Sequence, residues 1–329
     1  MSLENFVKKK NNKKVLFTPG PAALLADNIK GLEPCFGRGD KTYLNLENNV
    51  LDILKKMTKH KNITRMQGSA SLALEIMILN FISGNILIIN SGYYSDRLFE
   101  IAKQAKRKYG FIKNISYIEW KDIGSIKKKF SWLLSCVTET STGFLIPIKD
   151  LNKIKKKIKA NLALDATASI GLENDHNFAD VLAYSSCKGL FGLTGGSFIA
   201  FNKFPKNKID SFYLNHESHF LKKMTGPYHA ICSLFYVLKN YKNYKRAVLQ
   251  NKNKFLKLYK KSIIYKKRNQ PMLCTLTKNR IVPKNNKNNV ILYQPRSNIK
   301  GSIVCHLGEV HLKKNANGKI FNYIDEQKC

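Results

Sequence analysis

Ile86-Leu87-Ile88-Ile89 is an unbroken apolar run closed by Asn90-Ser91-Gly92. Such a run offers water no polar side. It therefore reads as a strand buried on both faces, the signature of a parallel sheet covered by helices. The unit recurs along the chain. Trp132 to Val137 ends in Thr138-Glu139-Thr140-Ser141-Thr142-Gly143, Asn161 to Leu164 ends at Asp165, and Val181 to Tyr184 ends in Ser185-Ser186-Cys187-Lys188. Ser197 to Phe201 is a further strand, reached through the Gly-rich turn Gly192 to Gly196. Helical spacing fills the intervals, over Glu47–Lys59 (apolar at Val50, Leu51, Ile53, Leu54 and Met57), Leu72–Ile82, Asp96–Lys108 and Ile148–Ile158. Strands alternating with helices predict an α/β layered domain with a mainly parallel sheet.

Open α/β sheets bind ligands beyond the carboxyl ends of their strands. Those ends here carry Ser91 to Asp96, Thr138 to Thr142, Asp165, and Ser185 to Lys188. The small, hydroxylated loop Gln67 to Ser71 opens a helix. From about residue 205 the rhythm becomes helical and basic, and residues 271 to 312 read as a small sheet.

Composition narrows the partners. At 329 residues the chain has room for about two domains. Lys+Arg is 57 against 22 Asp+Glu, a net charge of +35, which by itself suggests an anionic partner. The excess is diffuse: no acid occurs from Ser218 to Gly308, and Lys, Asn and Ile are abundant together. We read it as compositional drift on solvated faces and expect no nucleic acid partner. Seven scattered cysteines without a CxxC pair fit neither a disulfide framework nor a zinc site, but do fit a reducing cytoplasm. Residues 1–14 read as a solvated basic arm without the apolar segment of a signal peptide. Glu75, Asn80, Ser83, Gly84 and Asn85 break the most apolar stretch, so no membrane helix is expected.

The common nucleotide motifs are missing: no GxxxxGK[ST] occurs, and no GxGxxG follows the first strand. His216-Glu217-Ser218-His219 is one residue short of HExxH, so no metal is expected there. The strand-end residues instead describe the needs of pyridoxal 5'-phosphate (PLP). That cofactor requires an amine to hold its aldehyde, a carboxylate beside its pyridine nitrogen, a flat group against its ring and a helix N-terminus for its phosphate. Lys188, Asp165, the Tyr93-Tyr94 pair and Gly68 to Ser71 supply these types.

The chain resembles the class V aminotransferases of PLP fold type I, in the branch of the 2-aminoethylphosphonate–pyruvate and alanine–glyoxylate (serine–pyruvate) transaminases. The stretches carrying the resemblance are Thr18-Pro19-Gly20-Pro21, Gly68-Ser69-Ala70-Ser71, Gly92-Tyr93-Tyr94-Ser95-Asp96-Arg97, Thr138 to Gly143, Asp165-Ala166-Thr167-Ala168-Ser169-Ile170-Gly171, Ser185 to Gly189 and Met224-Thr225-Gly226-Pro227. They lie in family order over roughly residues 15 to 235. The resemblance implies a large PLP-binding domain over 15–235 and a shortened, basic α+β domain over 236–329. It implies an enzyme that moves an amino group from a small amine to a 2-oxo acid such as pyruvate, with 2-aminoethylphosphonate as a candidate donor.

Roles carry over by position. Lys188 would bind the cofactor and move the proton at the reacting carbon. Asp165 would keep the ring nitrogen protonated. Tyr94 would stack on the ring, with Tyr93 the alternative if the alignment slips by one. Thr140 would contact the ring oxygen, and Ser69, Ala70 and Ser71 would hold the phosphate. Thr225 would reach a second subunit's phosphate, implying a homodimer. The loop containing Thr18 and Gly20 would line the substrate entrance.

Two positions depart from the family. Cys187 stands where a polar amide or histidine usually precedes the lysine. Ile303 stands where an arginine usually grips the substrate carboxylate, when Ile303 to Val310 is aligned on Gly308-Glu309-Val310. Arg296 is the candidate replacement, because its planar fork can make the same bidentate grip. The alternatives to a transaminase are a PLP-dependent lyase and a degenerate scaffold that binds polyanions.

Overall fold

Residues Ile86 and Ile88 face one side of the sheet, and Leu87 and Ile89 the other; all four are fully buried. A strand with two apolar faces needs a layer on each, and the fold supplies both. A computed structural model of the chain describes all residues except 12, 21–23, 33–36, 38, 287–288, 309–318 and 328–329. Pro21, Glu309 and Val310 of the sequence motifs lie outside the described residues.

The central sheet has seven strands: β1 (Asn62–Gln67), β2 (Gly84–Asn90), β3 (Ile112–Glu119), β4 (Trp132–Cys136), β5 (Asn161–Asp165), β6 (Val181–Ser185) and β7 (Gly196–Phe201). Their order across the sheet is β1-β7-β6-β5-β4-β2-β3. Only β7 runs antiparallel to its neighbours. The carboxyl ends of the other six therefore share one edge.

One face packs α1 (Lys41–Thr58) through Val50 and Leu54, and α4 (Ile148–Lys157) through Ile148 and Leu151. Asp40 caps α1 by accepting the N–H groups of Thr42 (2.9 Å) and Tyr43 (3.3 Å). The opposite face packs α2 (Ala70–Phe81) and α3 (Tyr93–Tyr109). Helix α2 is apolar almost all round. Its Asn80 is buried but satisfied, donating to Ile76 O and Leu214 O and accepting from the His216 N–H. Helices α5 (Tyr228–Lys239) and α6 (Tyr241–Leu258) lead to short paired strands, Cys274–Thr277 with Ser302–Cys305 and Arg280–Pro283 with Ile324–Gln327. Val15–Phe17 pairs in parallel with Val290–Leu292, which ties the start of the chain to its last quarter.

The sequence reading needs correction at two points. Residues Leu3–Asn11, read as a solvated arm, form a helix with Val7 buried. Strands β1 and β3 lay outside the sequence reading. They are the two edges of the sheet, where polar side chains interrupt the apolar run: Arg65 in β1, and Lys113, Asn114 and Ser116 in β3. No helix among the described residues is long and apolar enough to cross a membrane.

Candidate active site

A cavity of about 540 Å³ opens at the shared carboxyl edge. Gly68 to Ser71 reach it from the end of β1, Tyr94 and Arg97 from α3, and Thr138 and Thr140 from the turn after β4. Asp165, Thr167 and Ala168 come from the end of β5, and Ser185, Cys187 and Lys188 from the end of β6. Residues separated by more than a hundred positions meet because each strand ends at the same edge.

Asp165 is fixed by two contacts. Its Oδ1 accepts the Thr167 N–H at 2.9 Å, and its Oδ2 accepts from Arg97 Nη2 at 3.0 Å, with the carboxylate side chain only 2% exposed. Arg97 also donates to Ser71 Oγ at 3.1 Å. Its guanidinium lies 5.0 Å from the Tyr94 ring centre, and Lys188 Nζ lies 5.3 Å from the same centre. Amine, acid and aromatic face thus share one hollow. Cys136 lies behind them, its thiol pushed well above the usual range by burial and by the Glu139 and Asp165 charges.

Tyr94 is held by a residue to which the sequence reading gave no role. Glu139, fully buried, accepts the N–H groups of Tyr94 (3.0 Å) and Ser95 (3.1 Å) at Oε2, and the Ser141 N–H (3.2 Å) and hydroxyl (2.5 Å) at Oε1. A carboxylate at the first turn of α3 satisfies orphan donors and complements the helix dipole. Burial pushes the Glu139 carboxyl upward, and these donors pull against it. The available signal was the position itself: an acid two residues past a buried strand is seldom solvent-facing. Gly92 permits the approach, with φ +143° and a Cβ position 2.8–2.9 Å from Ser141 Oγ, Glu139 Cγ and Thr142 Cγ2.

At the other end of the cavity, Ser69 is the N-cap of α2, and its side chain makes no capping bond. The first-turn N–H groups of an α-helix have no intrahelical acceptor and suit an anion. Gly68 is pinned through its N–H to Gly195 O at 2.9 Å. Two wall hydroxyls, Thr138 Oγ1 and Thr167 Oγ1, are buried without a hydrogen-bond partner among the described residues. Orphaned hydroxyls, a helix start and an acid beside an aromatic face together fit the ring and phosphate of PLP.

The remaining sequence candidates separate. Arg296 does line the cavity; its Nη1 donates to Tyr93 Oη at 2.8 Å and its guanidinium lies 5.1 Å from the Tyr93 ring centre. Tyr94 is on the cavity wall, whereas Tyr93 is not and reaches it only through Arg296. Gly20 is on the wall, whereas Thr18 is not. Cys187 is on the wall, half-buried, with Sγ 3.7 Å from Ser185 Oγ. Ile303 is buried in the small sheet opposite Leu276 and forms no part of the wall. Thr225 is exposed and outside this cavity. Its segment is anchored by Arg65, which donates from Nη1 to Met224 O at 2.6 Å and from Nε to both Glu47 oxygens at 3.2 Å. His216 and His219 are buried against Thr64 Oγ1 and Tyr213 O.

Sheet order, helical layers and the cavity position define the architecture of the PLP-dependent transferases of fold type I. No family model matches the chain. It is 27% identical over 214 residues to a bifunctional phosphonoacetaldehyde hydrolase/aminoethylphosphonate transaminase of Clostridioides difficile, covering 58% of this chain and 32% of that protein. It is 25% identical over 258 residues to the 2-aminoethylphosphonate–pyruvate transaminase of Pseudomonas putida, covering 70% and 69%. The alanine–glyoxylate aminotransferase of Nostoc superposes with a TM-score of 0.75 at 16% identity, over 94% of this chain and 95% of that one. The chain is thus similar in sequence to aminoethylphosphonate transaminases and shares the fold of the solved aminotransferase, and it spans about a third of the length of the first of these relatives.

Proposed function

We propose that this chain is a PLP-dependent aminotransferase that exchanges the amine of a small donor for the carbonyl of a 2-oxo acid such as pyruvate. The observation that carries the reading is that Lys188 and Asp165 line one cavity with Tyr94, whose ring centre lies 5.3 Å from Lys188 Nζ. Bound PLP supplies an electron sink for the carbon that carries the amine. The chain supplies the rest. Lys188 Nζ holds the cofactor and moves a proton at the substrate carbon. Asp165 keeps a proton on the ring nitrogen through the charge of its buried carboxylate. Tyr94 sets the ring plane, and Thr140 contacts the ring oxygen. The Ser69, Ala70 and Ser71 end of α2 binds the phosphate.

Arg296, standing at the mouth against Tyr93, takes the anionic end of the substrate in place of the arginine that Ile303 lacks. The exposed Thr225 completes a neighbouring subunit's phosphate site, which makes the working unit a twofold homodimer. The C. difficile and P. putida relatives support 2-aminoethylphosphonate as the donor to try first. Cys136, Cys187, Cys232, Cys274 and Cys305 are in no disulfide among the described residues, which supports a reducing, cytoplasmic setting.

A donor screen tests the reading. Full-length protein with PLP and pyruvate is given 2-aminoethylphosphonate, serine or another small amine, and alanine formation is followed. Alanine from at least one donor, abolished in Lys188→Ala, is expected. No transfer from any primary amine, with PLP bound, would set the transaminase aside and leave the lyase alternative.

A further inference from the structure

Arg97 touches three parts of the cavity at once. It bonds Asp165 Oδ2 at 3.0 Å and Ser71 Oγ at 3.1 Å, and it lies 5.0 Å from the Tyr94 ring centre. Its side chain is 25% exposed, while that of Asp165 is 2% exposed. The Arg97 Nε is buried without a hydrogen-bond partner among the described residues, so the guanidinium is turned toward the acid and the loop rather than toward a second carboxylate. A buried carboxylate is stabilised by hydrogen-bond donors or a counter-charge, and Asp165 has both. The other titratable or charged groups along this wall are Lys188, Arg296, Cys136, Cys187 and Tyr94, with Glu139 bonded to the Tyr94 N–H behind it. Among the described residues, Arg97 is the cation hydrogen-bonded to Asp165.

We propose that Arg97 is a positioning residue that acts through Asp165: it is the resident counter-charge of that carboxylate, which the cofactor's ring nitrogen must share. The inference rests on the PLP reading above. One carboxylate serving two cations holds each less tightly than it would hold one alone. Arg97 therefore tempers the protonation of the bound cofactor and sets the pH at which its visible absorbance changes form. Removing the guanidinium charge a few ångströms from the cofactor should raise that pH, because any protonated group nearby loses a repelling cation.

The test measures PLP binding and the pH midpoint of the bound cofactor's absorbance in full-length wild type, Arg97→Met, Arg97→Gln and Arg97→Lys. Both neutral variants should bind PLP with the midpoint about one pH unit higher. Arg97→Lys keeps the charge and should stay near wild type. Arg97→Gln is the gentler neutral change and decides the matter if Arg97→Met fails to fold. An unmoved midpoint in a neutral variant that binds PLP overturns the proposal, as does an equal shift in Arg97→Lys. Loss of PLP binding in both neutral variants with Arg97→Lys intact also overturns it, and makes Arg97 a direct cofactor ligand. A wild-type chain that binds no PLP defeats the cofactor reading itself, a failure distinct from all of these.

Discussion

The two ends of α3 provide a matched experiment on how the cavity floor is built. Gly92 precedes the helix at φ +143° and ψ −161°, a region that side chains other than glycine's essentially never occupy. Gly110 follows the helix at φ +69° in the left-handed region. A Cβ at Gly110 meets nothing within 4 Å, whereas one at Gly92 meets three side-chain atoms under 3.0 Å. Gly110→Ala therefore costs the backbone term alone, about 1 kcal/mol. Gly92→Ala adds overpacking of about 1–3 kcal/mol to backbone strain of about 1–3 kcal/mol, in total roughly 2–6 kcal/mol.

An unfolding entropy near 2.1 cal/mol/K per residue over 329 residues converts each kcal/mol to about 1.5 °C of Tm. Thermal melts should thus place Gly110→Ala about 1–2 °C below wild type and Gly92→Ala about 3–9 °C below. The colliding atoms belong to Glu139, Ser141 and Thr142, so Gly92→Ala should also displace Tyr94 and weaken PLP binding severalfold. Gly110→Ala should leave binding unchanged. Equal melting losses for the two variants, or unaltered PLP affinity in Gly92→Ala, would refute the argument that this glycine is required by the contact between the Glu139 turn and α3.

Two further outcomes follow from the site and the core. Arg296→Ala should raise KM for the oxo acid about tenfold with kcat little changed, as expected for loss of one charge-assisted contact, and steady-state kinetics with pyruvate would expose an unchanged KM. Burial lowers His216 to about 4 and His176 to about 3 from an ordinary 6.5. The unfolded chain therefore takes up protons first on acidification, and stability is lost as pH falls below 6.5, by about 2 kcal/mol for each histidine at pH 5. Melts between pH 7.5 and 5 should show Tm falling over that window; a flat profile contradicts the neutral, buried assignment.

The sheet interior was legible in the sequence because strands buried on both faces cannot hide their pattern. Ile86 to Ile89, Leu162 to Leu164 and Val181 to Tyr184 carry it plainly. Edge strands are half polar and lose it, as β1 and β3 did. Arg65 is buried within β1, and its pairing with Glu47, 18 residues earlier on α1, together with its bond to Met224 O, makes that tolerable. No local pattern announces such a partner. The site divides in the same way. Asp165 and Lys188 stand at strand ends, where position alone makes them candidates. Arg296 reaches Tyr93 across 203 residues, and the roles of Arg97 and Glu139 depend on which side chains their helix and turn bring together. Family resemblance supplied the pairing of acid with amine; it did not supply the counter-charge beside the acid or the carboxylate beneath the tyrosine.

The most direct measurement concerns a single nitrogen atom. Full-length protein loaded with PLP is reduced with borohydride, digested and mapped by mass spectrometry, with Lys188→Ala treated in parallel. In a chain this rich in lysine, chance labelling would scatter. The account predicts stoichiometric label on Lys188, and a variant with neither label nor visible absorbance. Label spread over surface lysines, or the same absorbance in Lys188→Ala, would contradict it.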